Sequence, residues 1–247
     1  MSIERMSGMP PPAEAPPGLA TGDSAVPVAV RLQILSTEHW SLLATRSLTW
    51  NESFSRSSMF LSALSGAVVA LALVAQASAF GEAFVVFSLV LLPVVFFLGF
   101  GTYVRLVQAN LEDARWVSGM NRLRHAYLEI APELEPYFIT GSHDDETGLV
   151  VTAAAVGQHA AAMPRSTSVL YGLSTTPVTV GVIDSVVGAV LVGVIAGRLQ
   201  VSMVPSVVLG VAAFLVIFAS MAAYYFRAYR VFRRVNRPQF PTPGPGE

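Results

Sequence analysis

Four long runs hold no basic residue and, between them, a single acid: 57–80, 83–104, 177–197 and 201–226, with Asp184 the exception. A helix rises about 1.5 Å per residue, so about 20 apolar residues cross the hydrocarbon of a bilayer. Each run reaches that length. Backbone amides in lipid must bond within their own segment, which makes these spans helices. The expected fold is therefore all-α and membrane-integral, with four transmembrane helices in two hairpins and cytoplasmic amphipathic helices beside them. Tight turns are expected at 81–82 and 198–200.

Composition agrees. Charged residues make up 13 % and hydrophobic residues 53 %, whereas a soluble domain is about 25 % charged. Net charge is -1, so no nucleic-acid partner is expected. The 15 basic residues are all Arg, and their placement matters more than their sum. Arg46 and Arg56 precede the first span; Arg105, Arg115, Arg122 and Arg124 follow the second. Arg165 precedes the third, and Arg227, Arg230, Arg233, Arg234 and Arg237 follow the fourth. The two turns hold only Arg198. The positive-inside rule then puts both termini and the central segment in the cytoplasm. Tyr224, Tyr225 and Phe226 stand where an interfacial aromatic belt is expected.

The segments divide as follows. Residues 1–27 are rich in Pro, Gly and Ala and lack a signal-peptide core; a disordered tail is expected, with the first span as an uncleaved anchor. Residues 28–56 read as an amphipathic helix on the membrane surface or the bundle, its stripe formed by Leu35, His39, Leu43, Arg46, Trp50 and Phe54. Thr49 and Glu52 have capping-box spacing, which suggests a break there. His39 with Arg46 is the ligand-site alternative. The first hairpin is 57–104, with a kink expected at Pro93.

The cytoplasmic segment 105–176 opens with a helix whose stripe runs through Val107, Leu111, Ala114, Val117, Tyr127 and Leu128, stopped by Pro132 and Pro136. Residues 141–146 form a polar loop. His143, Asp144, Asp145 and Glu146 offer oxygen ligands but lack the spacing of a calcium loop, so a solvated acidic loop is expected. A short Ala-rich helix is expected over 150–163. The second hairpin is 177–226, and 227–247 is a basic stretch followed by a disordered tail.

Chemistry-bearing motifs are scarce. There is no Cys, which excludes disulfides and thiolate sites. The His residues at 39, 125, 143 and 159 are scattered. No nucleotide-binding loop, metalloprotease motif or nucleophile elbow occurs, so no catalytic residue, metal or cofactor is expected. Asp184 is the most specific feature. It lies roughly 10 Å along its helix from the start of the third span, and a carboxylate there costs on the order of 3 kcal/mol. Ser65 and Ser220 fall at equal depth in their own spans and are its expected hydrogen-bond partners, so Asp184 is expected as a buried side chain, protonated or not, that ties helices together. Gly181, Asp184, Ser185 and Gly188 share a narrow face, and Gly193 with Gly197 forms a G-x-x-x-G pair on another; both suit close helix contact. Arg227, Arg230, Arg233, Arg234 and Arg237 are candidates for anionic lipid headgroups.

The stretch from Met120-Asn121-Arg122-Leu123-Arg124-His125 through Pro132-Glu133-Leu134-Glu135-Pro136-Tyr137-Phe138 to His143-Asp144-Asp145 resembles segments of a family of actinobacterial four-span membrane proteins. It covers about a tenth of the chain. The resemblance implies a bacterial setting and carries no activity. The paired hairpins bear a general likeness to small pore-forming effectors, without a shared motif. The sequence thus points to a non-catalytic, multi-pass inner-membrane protein that lies in the bilayer and acts through helix association, with further copies of itself or with a partner. The alternative is a small oligomeric channel or transporter with Asp184 as an ion- or proton-linked site.

Overall fold

A computed structural model describes residues 26–153 and 175–244. The expectations for most of the N-terminal tail and for the Ala-rich helix beyond Ala153 lie outside the described residues. Among the described residues the fold is formed by five helices, α1 Val28–Ser78, α2 Glu82–Ile130, α3 Glu146–Ala153, α4 Thr176–Arg198 and α5 Met203–Val235, with a 3-10 turn at Pro132–Tyr137. There is no strand among the described residues. Helices α1, α2, α4 and α5 are each long and apolar enough to cross a membrane.

Helix α1 has 51 residues, about 76 Å at 1.5 Å per residue, against roughly 30 Å of hydrocarbon. It therefore projects well beyond the bilayer, and α2, with 49 residues, projects beside it. No break occurs at Thr49. The Thr49 hydroxyl bonds the carbonyl of Thr45 instead of capping a new helix. Glu52 is taken by Arg105 and Arg56. The inward face of α1 also differs from the expected stripe. Leu35, His39, Leu42, Arg46, Thr49, Ser57 and Phe60 are buried or half-buried, while Leu43, Trp50 and Phe54 are exposed. Steps alternating between four and three keep a face on one partner over many turns. The repeated steps of four that reach Leu43 and Phe54 rotate away from it.

Both hairpin turns close alike. The Phe80 amide donates to the Ala75 carbonyl at 3.1 Å, and the Val201 amide to that of Ala196 at 3.1 Å. These are the wide closing bonds of a Schellman-type helix end. Ala79, Phe80 and Gln200 carry the left-handed conformation that such ends need, with φ of 48°, 58° and 59°. Arg198 Nη2 meets Glu82 Oε1 at 3.2 Å, so the two turns lie at the same end of the molecule.

In the membrane part, α2 packs against α1 on one side and α4 on the other, and α5 packs mainly on α4. The helices therefore form an open row, with α1 and α5 at its edges. The core joins Phe60 and Ala67 of α1, Leu92, Val95 and Tyr103 of α2, and Val180 and Val187 of α4. Of the residues of α5 only Met221 and Phe232 are buried. The Tyr103 hydroxyl donates to the Met221 carbonyl at 2.8 Å, a buried polar tie between α2 and α5. Helix α2 runs unbroken through Pro93.

Candidate functional site

Asp184 is completely buried on α4. Helix geometry puts Gly181, Asp184, Ser185 and Gly188 on one face, as expected, and that face meets α2. Gly181 lies against Tyr103 and Met221, and Gly188 against Phe96 and Ile217. Opposite Asp184 stands Gly99 of α2. A methyl group added at Gly99 would overlap the Asp184 carboxyl and the Phe60 ring, so the missing side chain is what makes room for the carboxyl.

Among the described residues the carboxyl has no partner: neither Oδ1 nor Oδ2 accepts or donates a hydrogen bond. Ser65 and Ser220 do not supply one. Their hydroxyls bond the Leu61 and Val216 carbonyls of their own helices at 2.8 and 2.7 Å, and both residues are exposed. Equal depth does not imply a shared face, and a helical serine can always bond back to the carbonyl four residues earlier. Neighbouring Ser185 does the same, to Gly181 at 2.7 Å. Gly99 and Phe60 were not singled out from the sequence, although Gly99 is visible there as a small residue within the second span.

The G-x-x-x-G pair behaves differently from Gly181 and Gly188. Nothing lies within 4 Å of a side chain built at Gly193 or Gly197. Both line an open apolar groove between α4 and α5, with Val190, Val207 and Gly210 on its walls.

A second polar centre lies on the part of α2 that leaves the membrane. Asn121 is fully buried and fully satisfied. Its amide nitrogen donates to the carbonyls of His143 and Gly148 at 2.7 and 3.1 Å. Its oxygen accepts from Arg124 and from the Thr152 hydroxyl at 2.8 and 2.9 Å. The loop after the 3-10 turn is thereby fixed to α2. It is not the solvated acidic loop expected: Asp144 is buried, and its carboxylate accepts Arg122 Nε at 2.6 Å and the amides of Gln239 and Phe240. Asp145 accepts the hydroxyl of Thr242 at 2.8 Å and its amide at 3.2 Å. Residues 237–242 are therefore held as a strap rather than hanging free, and the Phe240 ring stacks on His125 with centroids 4.2 Å apart.

These contacts set the charges. Burial pushes the Asp144 carboxyl up, but the Gln239 and Phe240 amides and the Arg122 guanidinium outweigh it and hold it below the usual range. Asp145 is likewise lowered: burial raises it, and the bonds from Gly148 and Thr242 outweigh that. Where the helices leave the core, Arg105 bridges Glu52 and Glu112, each at 2.9 Å. The bonds from Arg105 and Arg56 bring Glu52 down to about 2. Arg46 is committed to Asp113 at 2.7 Å, joined by the Trp50 indole at 3.0 Å. His39 stacks on Tyr127 instead, and burial, then Arg124, lower its pKa. His39 and Arg46 thus face different partners. Of the terminal arginines, Arg233 meets Glu146 at 3.1 Å; Arg227, Arg230, Arg234 and Arg237 are exposed.

The chain matches no family model, no curated protein and no solved structure.

Proposed function

We propose that the chain is a non-catalytic, multi-pass protein of the bacterial cell membrane that acts by association of its membrane helices, copy with copy. The observation that carries this reading is the open groove between α4 and α5, where, among the described residues, nothing lies within 4 Å of a Cβ placed on Gly193 or Gly197. Small residues let a second helix approach closely in lipid, where van der Waals packing drives association. In this reading both termini and the 105–176 segment are cytoplasmic, as the Arg asymmetry favours. The exposed Arg227, Arg230, Arg234 and Arg237 then lie at the inner headgroups, where anionic lipid attracts them.

Native mass spectrometry from lipid nanodiscs tests this. The wild type is expected as an oligomer, and Gly193→Leu with Gly197→Leu as a monomer of unchanged helicity. A wild-type monomer, or an oligomer indifferent to both substitutions, removes the reading.

The second reading, a small channel or transporter working through Asp184, is favoured by one observation: a buried carboxyl without a hydrogen-bond partner among the described residues.

A further inference from the structure

A buried polar group normally repays its desolvation with a hydrogen bond. Asp184 does not: it is fully buried within a membrane span, with both oxygens unpartnered among the described residues. It is therefore not there to hold helices together. Gly99 is open at the one point where a side chain would evict the carboxyl. The fold thus accommodates this group without using it for cohesion.

The occupant follows from the surroundings. An ionised carboxylate without a counter-charge is too costly in hydrocarbon to persist. A hard metal cation would need several oxygen ligands around it. None converges: the Ser185 hydroxyl is turned to Gly181, and no cluster of three His, Asp or Glu side chains forms among the described residues. The titratable groups near this level are Tyr103 on α2, whose hydroxyl is given to Met221, and Tyr224 and Tyr225 on α5. Helix α1 brings Phe60 and, one turn nearer its N-terminus, Arg56, which is held by Glu52. None of these is placed to neutralise the carboxylate.

We infer that Asp184 is a proton-binding site, a carboxylic acid that carries its proton inside the membrane at neutral pH. Loading adds a proton to one oxygen of the carboxylate; release returns it, and no other bond changes. The site rests on the geometry of α1, α2 and α4 and needs no association of copies. It deepens the second reading above without depending on transport.

Infrared difference spectroscopy of the protein in lipid at pH 7 tests it. Wild type minus Asp184→Asn is expected to show the high-frequency carbonyl stretch of a neutral acid free of hydrogen bonds. Asp184→Ala is the second variant, because it leaves more room at Gly99 and reports the same band if the Asn form does not fold. Carboxylate stretching bands present in the wild type and missing from the variant, with no acid band, would show an ionised Asp184 and overturn the proposal. So would disappearance of the acid band on adding sodium ions, which would make the site a metal-cation site. Proton flux into proteoliposomes is read separately: an acid band without flux keeps the site and removes the transporter.

Discussion

Asp144 and Phe240 hold each other twice: the Phe240 amide donates to the Asp144 carboxylate at 2.8 Å, and the Asp144 amide donates back to the Phe240 carbonyl at 3.2 Å. The carboxylate is simultaneously bound to Arg122 and Gln239. Deleting the chain after Asn236 should therefore expose the loop on α2. Hydrogen exchange of residues 141–148 is expected to accelerate, with the membrane helices unaffected. Asp144→Ala leaves two amides and a guanidinium without their partner, a loss of about 2–3 kcal/mol of local stability. Unchanged protection in both variants would mean the strap is not held in solution.

The same contacts fix a pH dependence. Asp144 and Asp145 have folded-state pKa values below those of the unfolded chain. Their contribution is fully present above the unfolded value of about 3.9 and is lost as pH falls through the folded values. Protection of the Gln239 and Phe240 amides should be flat from neutral pH to about 5 and fall at lower pH. Asp144→Asn should flatten that acid limb.

Gly99→Ala puts a methyl group into the Asp184 carboxyl and the Phe60 ring. Overpacking of this kind costs about 1–3 kcal/mol. Adding Asp184→Ala should recover part of the loss, because the two sites share one space and so couple. Thermal unfolding in detergent reads the cycle. Strict additivity would show that the residues do not touch.

Asp113 ties Arg46 and Trp50 of α1 to α2. Asp113→Ala should lower stability by about 1–3 kcal/mol, since it strands a half-buried guanidinium and an indole N–H. Trp50 fluorescence should change with it. An unaltered melting curve would demote the contact to a surface ion pair.

The proposed topology rests on Arg placement. Reporter fusions after Glu82 and Arg198 should report outside, and fusions after Glu146 and at the C-terminus inside. An outside signal at Glu146 would remove the two-hairpin arrangement.

The spans were legible because an uncharged run in a chain of this kind has one stable outcome in lipid. The break proposed at Thr49 was not real: a capping box is a signal between two residues, and Glu52 found stronger partners in Arg105 and Arg56. Asp184 was visible as an intramembrane acid, but its surroundings were not. Depth can be counted from sequence, whereas which face a serine presents depends on packing. The strap was illegible for a different reason. Its Pro-rich composition reads as a free tail, yet it is held by backbone amides, which every residue has, meeting carboxylates far away in the chain.

From Gly99 to Ile130, α2 contains neither a proline nor a break. In the membrane it is joined to α5 through α4 and through Tyr103. Beyond the membrane it is joined to the end of α5 again, through the strap. Two stiff members fastened at both ends form a closed mechanical loop. A tilt of α4 against α2 at Gly99 has no hinge along that stretch of α2 to absorb it. The strap on Asp144 and Arg122 therefore opposes any such tilt that carries α5 with it.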